Sequence, residues 1–154
     1  MGAIANAVLA KNGKVVGIIP KILLEWEAQH EGLTELIVTE TMHDRKKILY
    51  DKADVAIILP GGMGTMDELF ETLTLVQTKT ITRFPVILFG KTFYQPLMDV
   101  FSKMQQEGTI SAEDLDLLLF TDDVEEAIAH IQRYIRTNYQ IKPRKRLWWL
   151  LEKR

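Results

Sequence analysis

The sequence predicts an α/β protein built on a doubly wound parallel sheet. Short apolar runs alternate with longer amphipathic stretches along its 154 residues, and strand–helix alternation at this spacing is typical of parallel α/β folds. The runs are continuously apolar rather than alternating, as expected for strands covered by helices on both faces. No repeat or linker divides the chain.

The predicted elements follow one another in a regular order. Apolar runs predict strands at 15–19, 33–38, 54–59 and 85–89, with a shorter fifth strand at 117–120. Helices are predicted at 4–10, 42–53, 65–78, 94–107 and 124–135. The last helix has the clearest start signal, because Asp122 is followed three residues later by Glu125 in a capping-box pattern. Its helical period is kept by Val124, Ala127, Ile128, Ile131 and Ile135.

Composition excludes several classes of protein. With 47% hydrophobic and 26% charged residues, the chain is not intrinsically disordered. The absence of cysteine excludes disulfides, thiol nucleophiles and Cys-ligated metals, and three scattered histidines are a poor basis for a metal site. No apolar run approaches the roughly 20 residues of a membrane span, and residues 1–10 lack the features of a secretory signal. We therefore expect a soluble cytoplasmic protein.

The net charge of −2 is unevenly distributed. Residues 141–154 contain six Lys or Arg against Glu152 alone, so this tail is basic and the rest of the chain is acidic. An acidic body does not indicate a nucleic-acid-binding domain, and we expect no nucleic-acid or membrane partner. We expect the tail, residues 139–154 with Trp148 and Trp149, to pack as an extra helix on its own domain or on a second copy, or to fray. Contact with an anionic membrane or nucleic acid is the alternative.

The segment after the third predicted strand combines three glycines with a helix start. Gly61, Gly62 and Gly64 precede a helix predicted from about Thr65. Glycines let backbone N–H groups approach a ligand closely, and a helix start directs unpaired N–H groups and a positive dipole end at the loop. We therefore predict an anion site, most typically for phosphate, to which Thr65 adds a hydroxyl. The spacing matches neither of the common glycine-rich nucleotide motifs, and the alternative is a turn that binds no ligand.

Glu68 is a candidate functional carboxylate in the first turn of this helix. Since a carboxylate beside a phosphate site repels the phosphate, its presence there needs another reason. Favourable interaction with the helix dipole, worth up to about 1 kcal/mol, is the alternative for Glu68, Asp67 and Glu71. An apolar stripe directs Glu68 away from the core; it consists of Met66, Leu69, Phe70, Leu73 and Val76.

A second set of candidates lies at the start of helix 42–53. Its inward stripe is predicted at Met42, Leu49 and Ala53, and Arg45 and Lys46 flank that stripe. An arginine in this position is suited to bind a carboxylate or phosphate through its planar guanidinium. The alternatives are that Arg45 extends past the edge of the stripe or pairs with a structural carboxylate.

These two segments resemble the signatures of a known family. The sequences M-H-D-R-K at 42–46 and P-G-G-M-G-T-M-D-E at 60–68 match the M-H-x-R-K and P-G-G-x-G-T-x-x-E motifs of the LOG ("Lonely Guy") family. The resemblance extends from the start of the chain to Ile135. Members of the family are cytokinin riboside 5′-monophosphate phosphoribohydrolases, many of them previously mislabelled as lysine decarboxylases.

The resemblance implies a Rossmann-like fold and an activity. The expected reaction is hydrolysis of the N-glycosidic bond of a nucleoside 5′-monophosphate, giving free base and ribose 5-phosphate, with no cofactor or metal. The resemblance implies that Arg45 and Glu68 are catalytic. Glu68 would stabilise positive charge on the ribose ring or activate water, and Arg45 would orient Glu68 or bind substrate. The substrate-binding residues that it implies are Glu27, Lys46, Gly61, Gly62, Gly64, Thr65 and Asp67.

The resemblance also implies an assembly and a missing segment. Family members are homodimers or higher oligomers whose sites lie near the subunit interface. They begin with a strand–helix–strand unit, whereas residues 1–7 of this chain align with the helix that follows that unit. We therefore expect a domain at 1–138 with a Rossmann-like sheet lacking its first strands. The alternative function is a protein of the same fold that binds a nucleotide or phosphorylated cofactor without hydrolysing it.

Overall fold

Helices and parallel strands alternate along the chain, as predicted. The structure is a computed structural model that describes residues 2–24, 30–81, 84–116 and 118–138. Two compact units divide the chain, Met1–Asp54 and Val55–Arg154. The predicted tail, 139–154, lies outside the described residues, so its packing stays a prediction, as does the domain boundary at 138.

The first unit contains two helices and two parallel strands in its described part. Helix α1 spans Gly2–Ala10, strand β1 Val16–Pro20, strand β2 Glu35–Thr39 and helix α2 Met42–Lys52. Strand β1 pairs with β2 from Val16 opposite Glu35 to Pro20 opposite Thr39. The carboxyl ends of both strands therefore lie side by side, immediately before α2 begins.

The second unit contains three strands and three helices in its described part. They are β3 (Ala56–Ile58), α3 (Met63–Gln77), β4 (Val86–Phe89), α4 (Lys91–Gln106), β5 (Leu118–Thr121) and α5 (Val124–Asn138). The strands are all parallel, in the order β3-β4-β5. Side chains from the sheet and the following helices form one core, made of Ile58, Leu69, Phe84, Val86, Leu88 and Tyr94.

All ten predicted strands and helices are present, and three helices begin earlier than predicted; the first is α1, which begins at Gly2 rather than Ile4. Helix α3 begins at Met63 rather than Thr65, so Gly64 lies in its first turn. Helix α4 begins at Lys91 rather than Tyr94. The backbone N–H of Lys91 donates to Asp122 Oδ1 at 2.7 Å. Because this stabilising partner is 31 residues away in the chain, the local sequence pattern could not predict the helix start.

The predicted cap of α5 was wrong by one residue. Asp123, not Asp122, accepts hydrogen bonds from the backbone N–H groups of Glu125 at 2.8 Å and Glu126 at 3.3 Å. Asp122 instead accepts a hydrogen bond from the backbone N–H of Lys91. Among the described helices, none has the length and apolar character needed to cross a bilayer.

Candidate functional site

The segment that leads from β3 into α3, residues 60–64 and here called the glycine loop, includes the first two residues of the helix and presents backbone donors that lack a partner within it. The N–H of Met66 donates to the carbonyl of Gly62 at 3.1 Å, which is the first hydrogen bond within the helix. The N–H groups of Met63, Gly64 and Thr65 therefore have no carbonyl partner inside α3. Among the described residues, no side chain caps this helix at Gly62. The helix start is thus a site of positive potential, as predicted.

The three glycines of this loop differ in the space that a side chain at each position would find. A Cβ atom on Gly61 would lie 2.2 Å from Thr65 Oγ1 and 2.9 Å from Thr65 Cβ, so the fold itself requires glycine there. Cβ atoms on Gly62 and Gly64 would meet no described atom within 4 Å, and Gly62 has φ −93°, which any residue adopts. Nothing in the described fold requires glycine at 62 or 64. Both positions leave the backbone open to a ligand.

The polar side chains predicted beside the loop lie on the first two turns of α3. Thr65 and Glu68 are half-buried and Asp67 is exposed, whereas Leu69 is fully buried. Glu68 is thus less buried than Leu69 but not fully exposed, and it lies one turn before the buried Thr72, at the edge of the buried face. Phe70 was predicted to face the core but is 42% exposed; its ring packs edge-on against Phe101, with ring centroids 6.0 Å apart.

Two contacts from the start of α4 hold the beginning of the glycine loop. The hydroxyl of Tyr94 donates to the carbonyl oxygen of Leu59 at 2.7 Å. Tyr94 is buried, and burial raises the pKa of its hydroxyl above the usual value, which keeps it protonated. A Cβ atom on Gly90 would lie 2.9 Å from Pro60 Cγ. Sequence reasoning missed these residues, because no local signal connects Tyr94 with Leu59.

In the first unit, helix α2 carries the other two candidates. Thr41 caps the helix by accepting a hydrogen bond from the N–H of Asp44 at 3.1 Å. Arg45 Nε donates to the carbonyl of Ile18, in β1, at 3.2 Å. Lys46 is only 9% exposed. Arg45 and Lys46 therefore lie on the inward side of α2, as predicted.

The apolar stripe predicted for α2 was partly wrong. Met42 is 39% exposed and Ala53 is exposed, whereas Leu49 is half-buried. The spacing of apolar residues was misleading here, because Lys46 rather than Met42 is buried, and Arg45 donates to a backbone carbonyl of β1.

The structure thus groups the candidates into two sets. The glycine loop and the first turns of α3 bring together Gly61, Gly62, Gly64, Thr65, Asp67 and Glu68. The start of α2 brings together Arg45 and Lys46. Glu27 lies outside the described residues. Within the described ranges, no group of three or more His, Asp or Glu side chains is placed to hold a metal ion.

Comparison with known proteins gives consistent matches over most of the chain. Residues 1–131 match a family model described as "Possible lysine decarboxylase". A cytokinin riboside 5′-monophosphate phosphoribohydrolase from Rhodococcoides fascians is 39% identical over 133 residues, which are 86% of this chain and 67% of that protein. The protein of the same name from Mycobacterium tuberculosis is 37% identical over 128 residues, 83% of this chain and 68% of that protein.

A plant relative matches over a longer stretch. A probable cytokinin riboside 5′-monophosphate phosphoribohydrolase from Oryza sativa is 33% identical over 144 residues, which are 94% of this chain and 65% of the plant protein. The chain therefore spans about two thirds of the length of the curated relatives it matches.

Proposed function

The chain belongs to the LOG (Lonely Guy) family, and we propose that it hydrolyses the N-glycosidic bond of a nucleoside 5′-monophosphate with an adenine or cytokinin base. The products are the free base and ribose 5-phosphate. One relative that carries the name of this activity is 39% identical to the chain over 133 residues. The structural observation that carries the proposal is the open, uncapped backbone of the glycine loop.

The 5′-phosphate is the part of the substrate that the glycine loop is suited to bind. The free N–H groups at the start of α3 are donors for phosphate oxygens, and the helix dipole favours the negative charge. The open space at Gly62 and Gly64 lets the phosphate approach the backbone. Thr65 contributes a hydroxyl, and its side chain lies directly over Gly61.

We assign the catalytic carboxylate to Glu68. It is half-buried at the edge of the buried face of α3, in the turn after the glycines, so a phosphate held at the loop brings the attached ribose toward it. Cleavage of the C1′–N bond leaves the bonding electron pair on the base, which takes up a proton, while positive charge develops on the ribose. A carboxylate stabilises that charge and assists the water whose oxygen bonds to C1′.

We assign Arg45 to catalysis and Lys46 and Asp67 to substrate binding from their positions in the two matched segments, and Glu27 to substrate binding from its alignment with an acid of the family outside those segments. The hydrogen bond from Arg45 Nε to Ile18 supports a defined orientation of the guanidinium. Burial of Lys46 supports a role other than surface solubility, since lysines are rarely buried without a partner.

Replacement of Glu68 by Gln tests the catalytic assignment. Because the amide retains the shape but not the charge of the carboxylate, we expect release of adenine from AMP to fall at least about a hundredfold, with KM changed less. Glu71→Gln makes the same change three residues later on α3 and serves as the matched control. Release of base is followed by chromatography, with adenosine as the unphosphorylated comparison.

Each alternative has its own outcome. If Glu68→Gln turns over AMP at the wild-type rate, Glu68 is not the catalytic carboxylate. If adenosine is hydrolysed as fast as AMP, a phosphate site does not contribute to the reaction. Tight binding of AMP by the wild-type chain without any release of adenine selects the binding protein of the same fold.

We further propose that the chain forms a homodimer or higher oligomer. Exposed apolar side chains on neighbouring helices support this, among them Phe70 on α3 at 42% and Val100 on α4 at 51% exposure. Burial of such side chains between copies is favourable. Light scattering on the purified chain measures the molar mass of the assembly and so gives the number of subunits.

A further inference from the structure

We propose that Tyr94 is a positioning residue that sets the orientation of the glycine loop and thereby its affinity for the 5′-phosphate. The inference rests on the proposed function, because it concerns the same phosphate site. We assign Tyr94 no direct contact with the phosphate. Tyr94 acts on the Leu59–Pro60 peptide group, where the chain passes from β3 into the loop. Tyr94 itself lies on α4, just after the junction between β4 and α4.

The first contact fixes the carbonyl end of the Leu59–Pro60 peptide group. Tyr94 Oη lies 2.7 Å from Leu59 O, and the ring is 1% exposed, so it has little freedom to move. The edge of the neighbouring Phe93 ring packs against it, with centroids 4.8 Å apart and planes at 85°. A buried hydroxyl held in this way defines the direction in which the Leu59 carbonyl points.

The second contact fixes the other side of the same peptide group. Gly90 has φ +117°, a conformation that residues with a side chain rarely adopt. Its missing side chain leaves room for Pro60, whose Cγ would lie 2.9 Å from a Cβ at this position. The proline ring itself restricts rotation of the backbone at residue 60.

These contacts matter because the rest of the loop has few constraints of its own. Beyond Pro60, the contact between Gly61 and Thr65 is tight, whereas Gly62 has open space around it. The N–H groups of Gly61 and Gly62, which precede α3, therefore depend for their direction on where the Leu59–Pro60 peptide group is held, whereas those of Met63, Gly64 and Thr65 follow the start of the helix. Anion binding by backbone donors requires the donors to be pre-aligned, and small displacements lower affinity.

Tyr94→Phe tests this inference, because it removes the hydroxyl and keeps the ring. We expect the KM for AMP and the dissociation constant of ribose 5-phosphate to rise together by about tenfold, with kcat within about threefold of wild type. The dissociation constant of adenine, which does not use the glycine loop, should be unchanged. Calorimetry and steady-state kinetics on the full chain supply these values.

Tyr134→Phe is the matched control. Tyr134 is another buried tyrosine of the second unit, 9% exposed on α5, and α5 follows β5, at the far side of the sheet from β3. Because its helix follows the strand at the far side of the sheet from β3, the affinity for ribose 5-phosphate should stay within about twofold of wild type. If Tyr94→Phe fails to fold, Phe93→Leu decides instead, because Phe93 is half exposed and its ring packs against that of Tyr94, so its loss should give the same selective weakening of ribose 5-phosphate binding.

The outcomes separate this inference from the proposed function. The inference is overturned if Tyr94→Phe lowers only the melting temperature, or weakens ribose 5-phosphate and adenine equally. If the wild-type chain binds ribose 5-phosphate but releases no base, the hydrolase proposal fails while the affinities of the variants still decide the role of Tyr94. If the wild-type chain does not bind ribose 5-phosphate, the phosphate site and the role of Tyr94 both fail.

Discussion

Gly61 and Gly62 are adjacent in the chain but are glycine for different reasons. At Gly61 the side chain of Thr65 occupies the space that a Cβ would need, whereas Gly62 and Gly64 face open space. None of the three has a positive φ. Packing therefore accounts for one glycine of the motif, and an approaching ligand is our explanation for the other two.

Alanine substitutions separate these roles. Gly62→Ala and Gly64→Ala should leave the folding stability unchanged or, for Gly64 in the first turn of α3, raise it by up to about 1 kcal/mol. Both should lower the affinity for ribose 5-phosphate at least about tenfold, since the new methyl group lies where the ligand approaches. Gly61→Ala should lose stability and affinity together. Thermal melts and calorimetry measure the two effects, and full affinity in Gly62→Ala would contradict the phosphate site.

At the scale of elements, two neighbouring aspartates stabilise two different helices. Asp123 accepts hydrogen bonds from the first turn of α5, and Asp122 accepts one from the first N–H of α4. Helix α4 needs this distant partner because its own preceding residue, Gly90, has no side chain. Since α4 carries Tyr94, Asp122, which precedes α5, also stabilises the start of the helix from which Tyr94 donates to Leu59.

Removal of each carboxylate should therefore destabilise a different helix. We expect Asp122→Ala and Asp123→Ala each to lower the free energy of unfolding by about 1 kcal/mol. Hydrogen exchange should speed up in the first turn of α4 for Asp122→Ala and of α5 for Asp123→Ala. Gln132→Ala, at an exposed position in the middle of α5, is the control and should change stability by less than about 0.5 kcal/mol. Faster exchange confined to α5 in both variants would contradict the assignment of Asp122 to α4.

At the scale of the whole molecule, one half-buried histidine, His130, links folding stability to pH. His130 Nε2 is buried on α5 and has no hydrogen-bond partner among the described residues. Burial lowers the pKa of His130 below 6.5, nearby Arg133 lowers it further, and Glu126 partly opposes this. The folded chain therefore binds a proton at this side chain less readily than the unfolded chain does.

The expected direction of the pH effect follows from that difference. The contribution of His130 to stability is fully present above pH 6.5 and is lost as the pH falls from 6.5 toward the lower folded-state pKa. Relative to wild type, His130→Gln should thus become more stable at pH 5.0 than it is at pH 7.5, by urea denaturation at both values. A difference that is the same at both pH values would exclude this role for His130.

The amino-acid sequence by itself determined the order and type of the elements and the location of the glycine loop. Apolar runs such as 85–89 marked the strands, because parallel strands are buried on both faces. The motifs at 42–46 and 60–68 identified the family, which the comparisons confirm. These features depend on residues close together in the chain.

Only the tertiary structure decided which distant groups meet. The donation from Tyr94 to Leu59, the fit of Pro60 against Gly90 and the capping of α4 by Asp122 join residues about thirty or more positions apart. The burial of Lys46 in place of Met42 likewise depends on what α2 packs against. Local periodicity carries no information on which strand lies beside which, and these contacts follow from the parallel pairing of β3, β4 and β5 and of β1 with β2.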